Sequence, residues 1–126
     1  MKKIMIFGTF DRVHPGHEFV LNNAQKQGAV TAIVARDENV LKIKGRLPVL
    51  SEEKRLQDLK ARFPSATFLL GDPKDFLAPI RRLQPDLILL GYDQNLPPGV
   101  KEDDLGCKIE RLAPFHPERY KSSLLS

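Results

Sequence analysis

Ten consecutive residues, Gly8-Thr9-Phe10-Asp11-Arg12-Val13-His14-Pro15-Gly16-His17, narrow the folds open to this chain more than any other stretch. The apolar run before them, Ile4-Met5-Ile6-Phe7, reads as a buried strand, and Glu18 to Ala24 after them reads as a helix. The order is therefore strand, glycine turn, two histidines, helix. In an open α/β sheet, ligands sit at the carboxyl ends of strands, where loops meet helix N-termini. Such a terminus carries unpaired N–H groups and a partial positive charge, which favours phosphate. Pro15 suits the first helical turn, where its missing N–H would have lacked a partner anyway. That puts His14 at or just before the cap and His17 in the first turn, so both rings can face one anion. Gly8, without a side chain, lets a ligand approach the backbone closely. Two other readings of the histidines are open. They could be a metal pair, although no third ligand stands nearby, or they could be structural residues capping the helix.

Strands and helices alternate along the rest of the chain, the pattern of a parallel sheet with crossover helices. The first strand spans about Lys3–Phe7, and the first helix about Pro15–Gln27, with Gly28 as its C′ residue. Ala29–Ala35 is a second strand, too apolar to be half exposed. Arg36 to Leu50 reads as a polar loop in which Lys42, Lys44 and Arg46 alternate with other residues. An extended conformation would put those three cations on one face, able to close over a polyphosphate. Ser51 caps a helix running to about Phe63, which Pro64 stops. Ala66–Leu70 is strand three, and Lys74–Leu83 a helix that Pro79 would kink. Asp86–Leu90 is strand four, and its end loop, Gly91-Tyr92-Asp93-Gln94, shares the rim with the histidines. A short helix at Val100–Leu105 and a fifth strand at Cys107–Leu112 complete the sheet. The expected architecture is one domain, residues 1–126: a Rossmann-like open parallel sheet of five strands with helices on both faces.

Composition excludes several classes. With 126 residues the chain can bury a core without metal or disulfide staples. Its single cysteine, Cys107, forms no internal disulfide and reads as a small core residue. Met1-Lys2-Lys3 is followed by four apolar residues before Gly8, too few for a signal segment. Nothing approaches the ~20 apolar residues of a membrane span. The expectation is a cytoplasmic protein with no membrane partner. The net charge of +4 is modest, and seven Phe and two Tyr without Trp form no aromatic, basic strand for stacking bases. Small phosphorylated ligands fit this balance, and nucleic acid is discounted.

Gly8-Thr9-Phe10-Asp11-x-x-His14-x-Gly16-His17 resembles the signature of the cytidylyltransferase-like nucleotidyltransferases, the HxGH group. The resemblance runs along nearly the whole chain, strong at its start and weaker at its end. It implies transfer of a nucleoside monophosphate from a nucleoside triphosphate to a phosphorylated acceptor, with release of pyrophosphate. His14 and His17 would hold α/β-phosphate oxygens, and Lys44 would neutralise the β/γ side, bridged by Mg²⁺. Thr9 and Phe10 would offer backbone N–H groups beside Gly8 and Gly16, while Asp11 would hold the loop in shape. Asp37 matches an Asp that members carry soon after strand two. Arg55 resembles the Arg of a Glu-x-Arg on the following helix and reads as a helix or dimer-interface charge before an active-site one. Leu-Gly-Tyr-Asp-Gln at 90–94 is similar to the segment of archaeal-type FAD synthetases, where related cytidylyltransferases carry Gly-Asp-Asp. Asp93, with Gly91 and Tyr92, would then orient the nucleotide or acceptor, or Asp93 would simply stabilise the loop as an Asx-turn. Ser122-Ser123-Leu124 resembles the Ser/Thr pair that opens a last phosphate-binding helix. The accompanying arginine is Arg119 before Arg111 or Lys121. The fuller Arg-Thr-x-Gly-x-Ser-Thr form is absent, and the expectation is that no full last helix follows. The implied substrates are ATP and FMN, or CTP or ATP with a phosphorylated polyol or sugar as in glycerol-3-phosphate cytidylyltransferase-like proteins. A nucleotide-binding module without catalysis is the reading from a different class. A homodimer is implied by the family alone.

Overall fold

The four apolar residues from Ile4 to Phe7 divide between two cores. Side chains alternate across a strand, so Ile4 and Ile6 enter one cluster and Met5 and Phe7 the other. The computed structural model describes residues 2–13, 15–92, 94–97 and 99–112. Its central strand is β1 (Lys3–Gly8), flanked by β2 (Ala29–Val34) and β4 (Leu87–Leu90), with β3 (Thr67–Leu70) and β5 (Lys108–Arg111) at the edges. All pairings are parallel and the order is β3-β2-β1-β4-β5. Strand β4 is buried throughout, as its unbroken Leu-Ile-Leu-Leu requires, whereas β5 is largely exposed.

Helices cover both faces, as expected. Helix α1 (Pro15–Gln27) lays Leu21 and Ala24, and α3 (Glu52–Arg62) lays Leu59, on the face that holds Ile4, Ile6, Val30 and Leu89. Helix α4 (Ala78–Leu83) and a 3-10 turn at Glu102–Leu105 place Ile80 and Leu105 on the other, with Ile33, Ile88 and Leu90. Cys107 is partly buried against that second cluster. Ser51 caps α3, its Oγ accepting from the Lys54 N–H at 3.2 Å.

Four local readings need correction. Residues 37–44 form a helix, α2 (Asp37–Lys44), not an extended loop. Asp37 and Glu38 at its start and Lys42 and Lys44 at its end complement the dipole, and Gly45, at φ 78°, closes it. At about 100° per residue, Lys42 and Lys44 point apart, so the shared cationic face does not exist. Pro79 is the second residue of α4, where proline is tolerated, and does not kink a longer helix. The stretch before it is a turn in which the Asp72 carboxylate accepts the N–H groups of Lys74 and Asp75. The short helix expected at 100–105 is the 3-10 turn. Gly28 does not adopt the left-handed conformation of a C′ glycine. Its missing side chain matters because a Cβ there would lie 2.2 Å from the Lys2 carbonyl oxygen.

Candidate active site

The strand order reverses between β1 and β4, so the loops leaving their carboxyl ends flank a crevice. The β1 loop is shaped from within. Phe10 is buried at φ 54°, and Arg12 follows at φ 74°, both in the left-handed region that non-glycine residues seldom adopt. The Phe10 ring folds back over Gly8, where a Cβ would meet it at 2.8 Å. Room for the Phe10 ring is thus one reason that glycine suits position 8. The same ring meets His17 edge-on, with centroids 5.3 Å apart. His17 is partly buried in the first turn of α1, as expected, with Gly16 beside it. His14, Asp93, Arg119, Ser122 and Ser123 lie outside the described residues.

Asp11 shapes the loop rather than presenting a bare carboxylate. Its oxygens accept the N–H groups of Val49 at 2.7 Å and Leu50 at 2.8 Å. Burial pushes its carboxyl up, but those N–H groups and the charges of Arg55 and Arg12 outweigh this, holding it below the ordinary 3.8. A lowered folded-state value means the tie is fully effective above the unfolded value and is lost as pH falls through the lower folded one. Thermal melts should therefore show an acid loss of stability, below about pH 4, that is shallower in Asp11→Asn. An identical acid limb in the variant would remove Asp11 from this role.

Beneath the loop lies a residue whose position sequence reasoning missed. Arg55 is completely buried, so it is neither a surface helix charge nor a dimer-interface charge. Its Nη1 donates to the carbonyls of Thr9 and Ala35, each at 2.7 Å, and its Nε to Leu50 at 3.2 Å. Its Nη2 meets Asp37 at 2.6 Å. Asp37 is thus a partner of Arg55, not a solvated loop acid. It also accepts the Glu52 N–H, while Glu52 accepts that of Asp37. One guanidinium so joins the ends of β1 and β2, the start of α2 and the approach to α3. Helix α2 in turn brings Lys44 to the loop, its Nζ donating to Thr9 Oγ1 at 3.4 Å.

The β4 loop is tied on two sides. Gln94 accepts the Gly91 N–H at 3.0 Å and donates to the Phe7 carbonyl at 2.8 Å, bridging the crevice floor. Arg111 donates to the carbonyls of Gly91 and Gln94, so its guanidinium is engaged in holding this loop. Tyr92, between them, is exposed. Two cavities of about 390 Å³ each open elsewhere, one beside Glu102 and Cys107 and one at the β3 edge. Neither is lined by any described residue of 8–17.

Residues 5–112 match the sequence model described as cytidylyltransferase-like. The chain belongs to the cytidylyltransferase-like family. It is similar to the FAD synthase of Methanosphaerula palustris, 46% identical over 121 residues covering 91% of this chain and 78% of that protein. It is also similar to the FAD synthase of Methanobrevibacter smithii, 36% identical, covering 98% of this chain and 86% of that one. Among solved structures, the lipopolysaccharide core biosynthesis protein from Thermoplasma volcanium GSS1 superposes with a TM-score of 0.81 at 28% identity. That match covers 91% of this chain and 98% of the other. The cytidylyltransferase-like region thus includes the β1 loop, His17, Lys44 and the β4 loop, and ends before Arg119, Ser122 and Ser123. A crevice of this kind brings a helix N-terminus, an imidazole and an ammonium to one glycine turn. Those are tools for binding and neutralising phosphate.

Proposed function

We propose that this chain is a nucleotidyltransferase that transfers the adenylyl group of ATP to FMN, giving FAD and pyrophosphate. The observation that carries the reading is the near full-length likeness to proteins named FAD synthase, at 36% to 46% identity. The site supports it, because the residues that meet at the end of β1 suit an anionic chain.

In the proposed reaction, a phosphate oxygen of FMN attacks the α-phosphorus of ATP in line. The new bond joins that oxygen to the α-phosphorus, and the bond from the α-phosphorus to the α–β bridging oxygen breaks. Pyrophosphate leaves with the electron pair. The attacking phosphate is already ionised near neutral pH, so no general base is needed, and catalysis is positioning with charge neutralisation. His17, with His14, holds α/β oxygens at the start of α1. The backbone N–H groups of Thr9 and Phe10, beside Gly8 and Gly16, cradle the same oxygens. Lys44 neutralises oxygens next to Thr9. Asp11 and Arg55 keep the loop in its left-handed turn. Gly91, Tyr92 and Asp93 orient the nucleotide or acceptor from the β4 side, and Arg119, Ser122 and Ser123 add phosphate contacts.

Among the described residues, no three of His, Cys, Asp and Glu come together as a metal cage. Both Asp11 oxygens are taken by backbone N–H groups. The proposal therefore takes Mg²⁺ as part of the nucleotide substrate, with no protein step through it. Among the described residues, no helix is long and apolar enough to cross a membrane. A cytoplasmic homodimer completes the reading.

Incubation of the protein with α-labelled ATP and FMN should release pyrophosphate and form labelled FAD in equal amounts, resolved by chromatography. Pyrophosphate from CTP with glycerol 3-phosphate, but none with FMN, would replace FMN by a phosphorylated polyol. Binding of nucleotide with no pyrophosphate from any acceptor would leave a nucleotide-binding module.

A further inference from the structure

Six large apolar residues are exposed among the described residues, and four of them, Leu41, Ile43, Leu47 and Val49, fall within nine positions. Their exposures run from 46% to 68%. Scattered apolar side chains on a surface need no explanation, but a concentration of them marks a binding surface.

This segment is not a loose one. Val40 buries itself beneath α2, the N–H groups of Val49 and Leu50 are held by Asp11, and the Leu50 carbonyl is held by Arg55. The apolar side chains are therefore presented on a backbone pinned from below. They stand beside the reacting end of the site. Leu41 and Lys44 are three residues apart on α2 and so are surface neighbours, and Lys44 reaches Thr9. Val49 is joined through its own backbone to Asp11, two residues further along the β1 loop.

The charge pattern selects the occupant. From Val40 to Ser51 there are three cations, Lys42, Lys44 and Arg46, and no acid. None of the three pairs with a carboxylate among the described residues. Of the three, Lys44 neighbours Leu41 and reaches Thr9, so the apolar side chains have a cation at one end, which fits a ligand that carries a flat ring system at one end and a phosphate at the other. A phosphorylated polyol has only the phosphate, and would leave the apolar side chains in water.

We infer that Leu41, Leu47 and Val49 form the platform on which the ring of the phosphorylated acceptor lies, with Lys44 at the end where its phosphate meets the nucleotide. This inference rests on the nucleotidyl-transfer reading and deepens it. It assigns the acceptor to the β2 side of the crevice and makes that acceptor a ring-bearing phosphate ester.

The double variant Leu47→Ser/Val49→Ser changes only exposed side chains and leaves the backbone N–H of Val49 free to meet Asp11. Leu41→Gln is a second, independent variant on the helix. Each should raise KM for FMN roughly tenfold, the worth of a lost apolar contact, while KM for ATP stays within about twofold and the melting curve is unchanged. Riboflavin, the ring without the phosphate, should compete with FMN in the wild type and lose that competition in the variants. An unchanged KM for FMN, or an equal rise for ATP, overturns the platform even where FAD is made. Dissociation of a dimer in the variants with both KM values unaltered would make the patch a subunit interface and also overturns it. Should the wild type make no FAD, the transfer reading falls on that result alone. The platform is then judged by quenching of FMN and riboflavin fluorescence. Quenching that is absent, or equal in wild type and variants, overturns it.

Discussion

His17→Ala should lower adenylyl transfer by at least about 10²- to 10³-fold, the usual cost of removing one preorganised donor from a developing oxyanion, while the protein stays folded. The stability side follows from its surroundings. The ring is only partly buried, and its edge-on contact with Phe10 at 5.3 Å is the sort that contributes about 0.5–1.5 kcal/mol. Loss of that ring contact should lower the melting temperature by a few degrees. His17→Phe separates the two roles further, because it keeps a ring against Phe10 and removes both nitrogens. Its melting curve should recover the part that the ring contact supplies, while transfer stays at the level of the alanine variant. A structural histidine would show the reverse: His17→Ala would unfold early and His17→Phe would restore both stability and turnover. Pyrophosphate release at saturating substrates, read beside a thermal melt of the same sample, decides between them.

Arg55→Ala should be the most destabilising single change in the described chain. Removing the guanidinium leaves three backbone carbonyls, those of Thr9, Ala35 and Leu50, and the Asp37 carboxylate without their donor. Asp37 is 31% exposed, so its lost partner costs less than the about 3–5 kcal/mol of a fully buried pair, and each lost donor to a buried carbonyl adds about 1–3 kcal/mol. For a domain of this size the melting temperature should drop by about 10 °C or more. Arg55→Lys keeps the charge but replaces a planar fork of donors by a single ammonium, which does not reach all four acceptors. It should fold with intermediate stability and a raised KM for ATP, because Thr9 and Asp37 lose the group that aligns the ends of β1 and β2. Arg55→Ala melting like the wild type would show that water replaces the guanidinium at no cost. The network would then be incidental.

The two variants also show which parts of the protein could be read from the chain alone. His17 lies in a stretch where every signal is local: an apolar strand, a glycine, a proline at the first helical position. Strand β1 and helix α1 came out at or within one residue of their expected bounds. Asp11 was expected to shape its loop, and its carboxylate does so through Val49 and Leu50. Arg55 is a different case. Its four acceptors lie up to 46 residues away, and no spacing rule connects a mid-helix arginine to the carbonyl of Thr9. Gly28 was expected as a C′ glycine, which it is not, and Gly8 has a neighbour that the sequence did not reveal. What crowds them is the Phe10 ring and the Lys2 carbonyl, contacts made only once the chain has folded. The alternation at 42–46 pointed to an extended segment, yet the acidic start, basic end and closing Gly45 of α2 prevailed.

The order of the residues by itself determined the alternating strands and helices, and the glycine turn that leads from β1 into α1 with His17 in its first turn. Those depend on side-chain periodicity and on backbone preferences felt over a few neighbours. The tertiary structure alone decided that Arg55 lies beneath the crevice, that Lys44 reaches Thr9 and that Leu41, Leu47 and Val49 stay exposed beside it. Each of these depends on where distant segments come to rest against the sheet, and packing, not sequence proximity, sets that.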